Sequence, residues 1–515
     1  MLSRSYLPAD QQKDLLAYTP MFHSKMFGGE NSNYRDSHFQ PLKSTVSSPP
    51  DAYHTSQLTD AERHLDGNPA FDRPLTVQFC SNDPDDLLRA AQHVAPFCDA
   101  VDLNLGCPQG IAKRGKYGAF LQEDPGLIAR MINKLHKELD IPVTAKMRVL
   151  ETKEKTLEYA KTILDAGASI ITVHGRRREQ KGHNTGLADW QMIRFLRESL
   201  PKDTVIFANG NILQHEDIAE CLEVTGADGV MSAEGNLYDP TIFAPPPPVG
   251  EEGREYWRDR NGKGGYRVDA VMRRYMDIIH KHALGQQPPT RKPLWMPGDP
   301  EEPPKQEQTP DEEEEEGPPK KKQKQMSKAE RKKEKTSNPN LTAMQAHLFH
   351  MLRPLVSEHH NVRDALARSR TGDIDAFENV LALTEQAIKQ GITAYEASPV
   401  DTSAPELPVN VENLDPHESS LVTVARCKRP YWVCQPYVRP LPKEALEKGS
   451  MTVSKKEKKR MEEEKAAGLQ PGGRVEKKDV QTGESLGQES LEVSEKKETE
   501  GKDVVEEPRE GVVCG

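Results

Sequence analysis

The residues best suited to chemistry sit where apolar runs end. Asp102-Leu103-Asn104-Leu105-Gly106-Cys107-Pro108-Gln109 reads as a buried strand closing on a Gly-Cys-Pro turn, which lifts a thiol free of the strand ladder. Two readings of Cys107 stand open on this stretch: a small core hydrophobe, as many free cysteines are, or a thiol held for chemistry at a strand mouth. Three more runs close on a polar group: Gln78 in Val77-Gln78-Phe79-Cys80, Lys146 in Thr144-Ala145-Lys146-Met147-Arg148, and His174 in Thr172-Val173-His174-Gly175-Arg176. Taken singly, Lys146 and His174 could be an ion pair or a satisfied core hydrogen bond. Four such ends in succession are expected if the strands share one pocket. The next ends, Asn209-Gly210-Asn211-Ile212 and Ser232-Ala233-Glu234-Gly235-Asn236, carry small residues that let backbone N–H groups approach an anion.

These positions require a rigid scaffold, and the chain spells one out. Strand-like runs fall at Leu75–Cys80, Ala100–Leu105, Pro142–Met147, Ser169–Val173, Val205–Ala208 and Gly229–Met231. Helical periodicity lies between them at Asp85–Val94, Leu127–Leu135, Lys155–Ala166, Trp190–Leu200 and Asp217–Val224. The strands read as apolar throughout rather than alternating, which predicts a parallel sheet covered by helices. No Gly-rich dinucleotide fingerprint follows an early strand, so a TIM-type (β/α)8 barrel is favoured over an open nucleotide-binding sheet. After Pro245–Pro248 the pattern predicts helices only. Val268, Val271, Met272, Tyr275, Met276 and Ile279 form one stripe, Leu341, Met344, Leu348, Leu352 and Leu355 another, and Asp375–Lys389 a further helix.

Composition bounds the rest. The chain has 515 residues, 35% of them hydrophobic, and 40 prolines, too little apolar surface for a core of that length. The deficit lies at 286–338 and 441–515, both predicted to be disordered. The expected organisation is a catalytic barrel over 1–245, a helical domain over 246–440 carrying the insertion, and a charged tail. Seven scattered cysteines fit a reducing compartment rather than a disulfide framework, and Cys427 with Cys434 lacks a second ligand pair for zinc. No metal, no membrane span and a cytoplasmic monomer are expected. Lys320–Lys322 and Lys455–Arg460 would suit nuclear import or RNA contact, although solvated charge is the plainer reading. The net charge of −11 comes from acidic runs such as Glu312–Glu316. Lys113-Arg114 with Lys116, and Arg176–Arg178 with Lys181, could therefore still meet phosphates, while either cluster alone fits an ordinary solvated loop.

These motifs together resemble the tRNA-dihydrouridine synthases, and among them the eukaryotic type acting at positions 16 and 17 of the tRNA D-loop. The likeness rests on Leu103–Gln109, Lys113-Arg114-Gly115 with Tyr117-Gly118-Ala119-Phe120-Leu121, Val173–Arg176, Phe207–Ile212 and Gly229–Gly235. It implies an FMN-binding barrel followed by a helical tRNA-binding domain, with NADPH as reductant. Hydride would go from reduced FMN to C6 of uracil, and the Cys107 thiol would give its proton to C5, so the thiol must stay neutral until then. By the same likeness Gln78 and Lys146 would hold the flavin ring, and His174, Asn209, Gly210, Asn211, Glu234 and Gly235 its phosphate end. Asn104 and Arg176 would contact the base or the flavin.

The resemblance also exposes a difference. Ala17-Tyr18-Thr19-Pro20-Met21 matches the family's second strand, so the first strand, ending in Ala-Pro-Met, has no counterpart here. Either the start lies upstream of Met1, or a shortened chain binds RNA without reducing it. A flavin barrel of the dihydroorotate-dehydrogenase kind is the alternative enzyme, and the helical region and basic loops count against it.

Overall fold

The computed structural model describes residues 1–31, 33–43, 63–300, 339–397, 414–417 and 419–447. Eight short parallel strands form one sheet: β1 (Ala17–Tyr18), β2 (Phe22–His23), β3 (Leu75–Cys80), β4 (Ala100–Leu105), β5 (Val143–Arg148), β6 (Ile170–His174), β7 (Val205–Asn209) and β8 (Gly229–Met231). β1 and β2 both pair with β3, Tyr18 beside Thr76 and Phe22 beside Phe79. They are one strand position interrupted at Pro20, which has no N–H to give a ladder. The sheet thus has seven positions in the order β1-β3-β4-β5-β6-β7-β8, the curled parallel sheet of a TIM-type α/β fold. Among the described residues no strand joins the outer edges of β1 and β8, as the missing strand predicted. The turn Ser3–Tyr6 lies there instead. Ser3 Oγ donates to Asn236 Oδ1 at 2.9 Å, beyond β8, and the Arg4 guanidinium donates to the carbonyls of Leu15 (2.8 Å) and Pro74 (2.5 Å), ahead of β1 and β3.

The connecting helices start on side-chain caps. Asp83, Asp124, Thr152 and Asp189 each accept from a backbone N–H in the first turn of Pro84–Val94, Pro125–Glu138, Lys153–Asp165 and Trp190–Ser199. Such a cap contributes about 1 kcal/mol. The first three helices consequently begin one or two residues before their periodic stripes do. Their apolar faces pack on Val77, Phe79, Val101, Leu103, Val143, Ala145, Ile171, Val173, Ile206 and Ala208, so the main core lies between sheet and helices.

The strands alternate after all, which corrects the reading of them as uniformly apolar. The residues between those outward ones are Thr76 and Gln78, Asp102 and Asn104, Thr144 and Lys146, Thr172 and His174, and they form a polar inner face. Threonine hid the alternation, because its methyl suits a strand as well as valine does. The polar ladders are held in register, Gln78 beside Asp102, Asp102 beside Thr144 and Asn104 beside Lys146.

A second core joins Tyr6 and Ala244 to the helices beyond, through Met272, Met276, Leu348, Leu355, Phe377, Leu381 and Trp432. This region is not purely helical, as had been expected. Tyr256–Arg258 and Gly264–Tyr266 form an antiparallel hairpin around Gly262, whose φ of +85° suits glycine. The long helix runs over Ile374–Ala397, past the expected end at Lys389, with Gly391 giving room to the Tyr431 ring. Residues 286–300, expected within the disordered insertion, are placed: Arg291 pairs with Glu378 at 2.6 Å and Leu294 is buried. Residues 301–338 lie outside the described ones. The ordered chain also passes the expected limit of 440, because Glu444 on the helix Pro442–Glu447 accepts from Ser420 N (2.8 Å) and Leu441 N (3.0 Å). The rest of the tail, from 448, is not described. No helix among the described residues is long and apolar enough to cross a membrane.

Candidate active site

Cys107 lies just past β4, and its turn is fixed from four sides. Asn104 Oδ1 accepts from the backbone N–H of Gly106 (3.1 Å) and of Cys107 (2.9 Å). Arg148, at the end of β5, donates from Nε to the Gly106 carbonyl at 2.6 Å, and Lys181 Nζ donates to the Pro108 carbonyl at 2.7 Å. Ala119 N donates to the Cys107 carbonyl at 3.0 Å. That last bond needs Gly118, whose φ is +63° and where a Cβ would stand 2.8 Å from the Cys107 carbonyl oxygen. The thiol is not open at the mouth. It is 1% exposed, in a small cluster with Cys80, Ala112 and Tyr117 against Met21 and Phe120.

Asn104 and Gln78 are therefore parts of a brace. Asn104 Nδ2 donates to Gln78 Oε1 at 2.7 Å, and Gln78 Nε2 donates to Asp102 Oδ2 at 2.9 Å. Each amide keeps one N–H, so either could still serve a ligand. Lys146, 4% exposed, stands close enough to Asp102 and His174 to influence both charges.

A second network surrounds His174. Burial, then Lys146, Arg148 and Arg176, push its pKa well below the usual imidazole value, so the ring is neutral. Nε2 lies 3.1 Å from Arg176 Nη1, which can only donate. This assigns the ring proton to Nδ1, which is buried with no protein partner. Arg176 also donates to the Gly186 carbonyl (2.9 Å) and to Asn211 Oδ1 (2.6 Å), and its burial lowers its pKa to about 10.

Asn209 Nδ2 donates to the Met231 carbonyl at 2.8 Å, leaving its buried Oδ1 without a partner. Gly210 has φ +110° and would clash with Ala188 if it carried a Cβ, while the Asn211 side chain is spent on Arg176 and Ala188. The Glu234 carboxylate faces Arg439 at 2.9 Å, so what its turn can offer an anion is backbone and arginine rather than its own side chain. Gly235 is forced by the Ile212 carbonyl, 2.4 Å from a Cβ position. The inner face thus presents an orphaned donor, an orphaned acceptor and a buried ammonium, a set that fits an amphoteric ring carrying an anionic tail. No cluster of His, Cys, Asp and Glu able to hold a metal occurs among the described residues.

Sequence reasoning missed Arg148, Asp102 and the enclosure by Tyr117. A charge within an apolar strand was the available signal for the first two. Beside the thiol's cover opens a cleft of about 700 Å³ lined by Asn82, Lys113, Lys116, Phe120, Arg178 and Lys181. Arg178 lies 5.1 Å above the Phe120 ring, so this basic surface adjoins the cysteine turn.

Comparison with known proteins gives a consistent picture. A family model described as dihydrouridine synthase (Dus) matches residues 12–256. The chain is 39% identical over 429 residues to a tRNA-dihydrouridine(16/17) synthase, NAD(P)(+), of Schizosaccharomyces pombe, covering 83% of this chain and 82% of that one. It is also 39% identical to the protein so named in Saccharomyces cerevisiae, over 83% of this chain and 78% of that one. A rat protein named as like these shares 32% identity over 88% of this chain and 74% of its own. Among solved structures, an Eimeria tenella DHODH covers 33% of this chain and 55% of its own at 17% identity and a TM-score of 0.28, too little to bear on function.

Proposed function

The chain belongs to the dihydrouridine synthase family, whose NAD(P)-dependent members reduce uridine to dihydrouridine in tRNA, and we propose that it does so at positions 16 and 17 with FMN and Cys107. When bound, FMN recharged by NADPH supplies the hydride that adds to C6 of the uracil. The Cys107 thiol gives its proton to C5, so that hydride and proton together saturate the C5–C6 bond. The thiolate left behind regains its proton from solvent before the next turnover. A thiol suits this role because it holds its proton near neutral pH and releases it as negative charge develops on carbon.

The other residues hold and orient. The Lys146 ammonium would offset negative charge at the edge of the ring, with Gln78 beside it. His174, kept neutral, would offer its Nδ1–H, and Asn209 its Oδ1, to groups along the cofactor. The Asn209–Asn211 and Glu234–Gly235 turns would approach the phosphate with backbone N–H groups. Asn104 and Arg176 each have one N–H left for the base. The base must leave its stack to reach an enclosed thiol, and the cover formed by Tyr117 and Phe120 must open for it. Lys113, Lys116, Arg178 and Lys181 would meet the RNA backbone meanwhile.

The observation that carries this reading is the Cys107 turn, over-fixed by Asn104, Arg148, Lys181 and Gly118 for a residue that mere core packing would not need to aim. The purified protein, incubated with NADPH and unmodified tRNA, should yield dihydrouridine mapped by mass spectrometry to positions 16 and 17. Dihydrouridine elsewhere would move the site. RNA binding without any product would leave a binding protein only.

A further inference from the structure

The reaction as derived leaves the Asp102 carboxylate unused, yet it is completely buried on the inner face. Burying a charge is costly unless it is paired or fully hydrogen-bonded. Oδ1 accepts from Thr144 Oγ1 at 2.7 Å and Oδ2 from Gln78 Nε2 at 2.9 Å. An ionised carboxylate can only accept, so the nitrogen end of Gln78 must face it. Gln78 Oε1 then faces Asn104, which must present Nδ2 at 2.7 Å. Only then is Asn104 Oδ1 directed at the backbone N–H groups of Gly106 and Cys107.

Both ends of this chain are unambiguous, a carboxylate at one and backbone donors at the other, and they assign the two amides between them. A flipped Asn104 would set its NH2 against two N–H groups, and the turn would have to move.

We propose that Asp102 is a positioning residue for proton transfer: through Gln78 and Asn104 it fixes the hydrogen-bond direction that holds the Cys107 turn. This rests on the reading of Cys107 as proton donor. Two other titratable groups face Asp102, Lys146 on β5 and Tyr18 on β1. Burial is the largest influence on the carboxyl and raises its pKa to about 6, against the pull of Thr144, Gln78 and Lys146. Below that pH Asp102 gains a proton it can donate, and the direction of the chain is then held from the backbone end alone.

The test uses Asp102→Asn, Asn104→Ala and the double variant, each in the full-length flavin-loaded protein with NADPH and unmodified tRNA. Single-turnover formation of dihydrouridine is followed across pH 5–8. Asp102→Asn keeps the size but can donate, and should slow the reaction about 10–100-fold, the scale of an ångström's misplacement. In the Asn104→Ala background the same substitution should add less than about twofold, because the chain is already cut. The wild-type rate should fall away below about pH 6, and that limb should be absent from Asp102→Asn. Effects that multiply in the double variant, or an acid limb that survives Asp102→Asn, overturn the proposal. If Asp102→Asn does not fold, Asn104→Ala should lack the limb by itself, and its retention there is equally contrary. A Cys107→Ala protein that still makes dihydrouridine would instead overturn the reading beneath.

Discussion

Arg176 Nη1 stands 3.1 Å from His174 Nε2, and this contact decides the tautomer of the histidine. Burial first, then Lys146, Arg148 and Arg176, keeps the ring neutral, and the donor on Nε2 leaves its only proton on Nδ1. The unfolded ring binds a proton below about pH 6.5, and the folded ring resists it, so the contribution of His174 to stability is complete above that pH and is lost progressively as pH falls from there toward the much lower folded value. The slope is up to about 1.4 kcal/mol per pH unit. Denaturant unfolding at pH 5 to 7 should show His174→Gln losing less stability toward acid than wild type. Equal slopes would mean that the folded ring takes up its proton as readily as the unfolded one.

Gly118 and Gly182 both have φ near +60°, but only Gly118 has the Cys107 backbone within reach of a Cβ. Gly118→Ala should therefore cost about 1–3 kcal/mol of stability and slow turnover, as a strained left-handed residue does. Gly182→Ala, with nothing within 4 Å, isolates the conformational part. Thermal melts and turnover of the pair separate strain from the displacement of the cysteine.

Arg148 joins the Gly106 carbonyl to the carbonyls of Arg177 (3.2 Å) and Gln180 (3.4 Å), tying the loop after β6 to the cysteine turn. Arg148→Met preserves much of the packing and removes the donor these carbonyls share, although that of Arg177 keeps the Gln180 N–H at 3.1 Å. A loss of about 1.5–3 kcal/mol in denaturant unfolding is expected, together with slower dihydrouridine formation.

The cleft beside the cysteine cover makes a separate prediction about RNA. Lys113→Ala and Lys116→Ala should raise KM for tRNA while leaving kcat little changed, since both side chains are exposed and lie outside the inner face. Each phosphate contact removed should lower the slope of log K against log salt by about 0.7–0.9. Unchanged salt dependence in both variants would place the RNA elsewhere.

Much of this architecture could be read from the residues. β3 and β4 were legible to the residue because turn signals bound both runs, and Cys107, Lys146 and His174 were visible as polar groups closing apolar ones. The brace was not, because its parts are distant in sequence: Gln78 meets Asp102 across 24 residues, and Arg148 reaches Gly106 across 42. Only the strand register brings them together. The hairpin at 256–266 was hidden because two three-residue strands carry too little pattern to be told from loop, and its Asn261-Gly262 turn was the one local sign. Asn211 and Glu234 were read as ligand contacts from their turns, and only the structure shows their side chains occupied by Arg176 and Arg439.

The assignment of Cys107 as the proton donor is tested most directly by Cys107→Ala in flavin-loaded protein, with dihydrouridine in unmodified tRNA measured by mass spectrometry after a single turnover. Loss of product with the flavin absorbance intact is the expected result. Product at the wild-type rate from that variant would contradict the assignment.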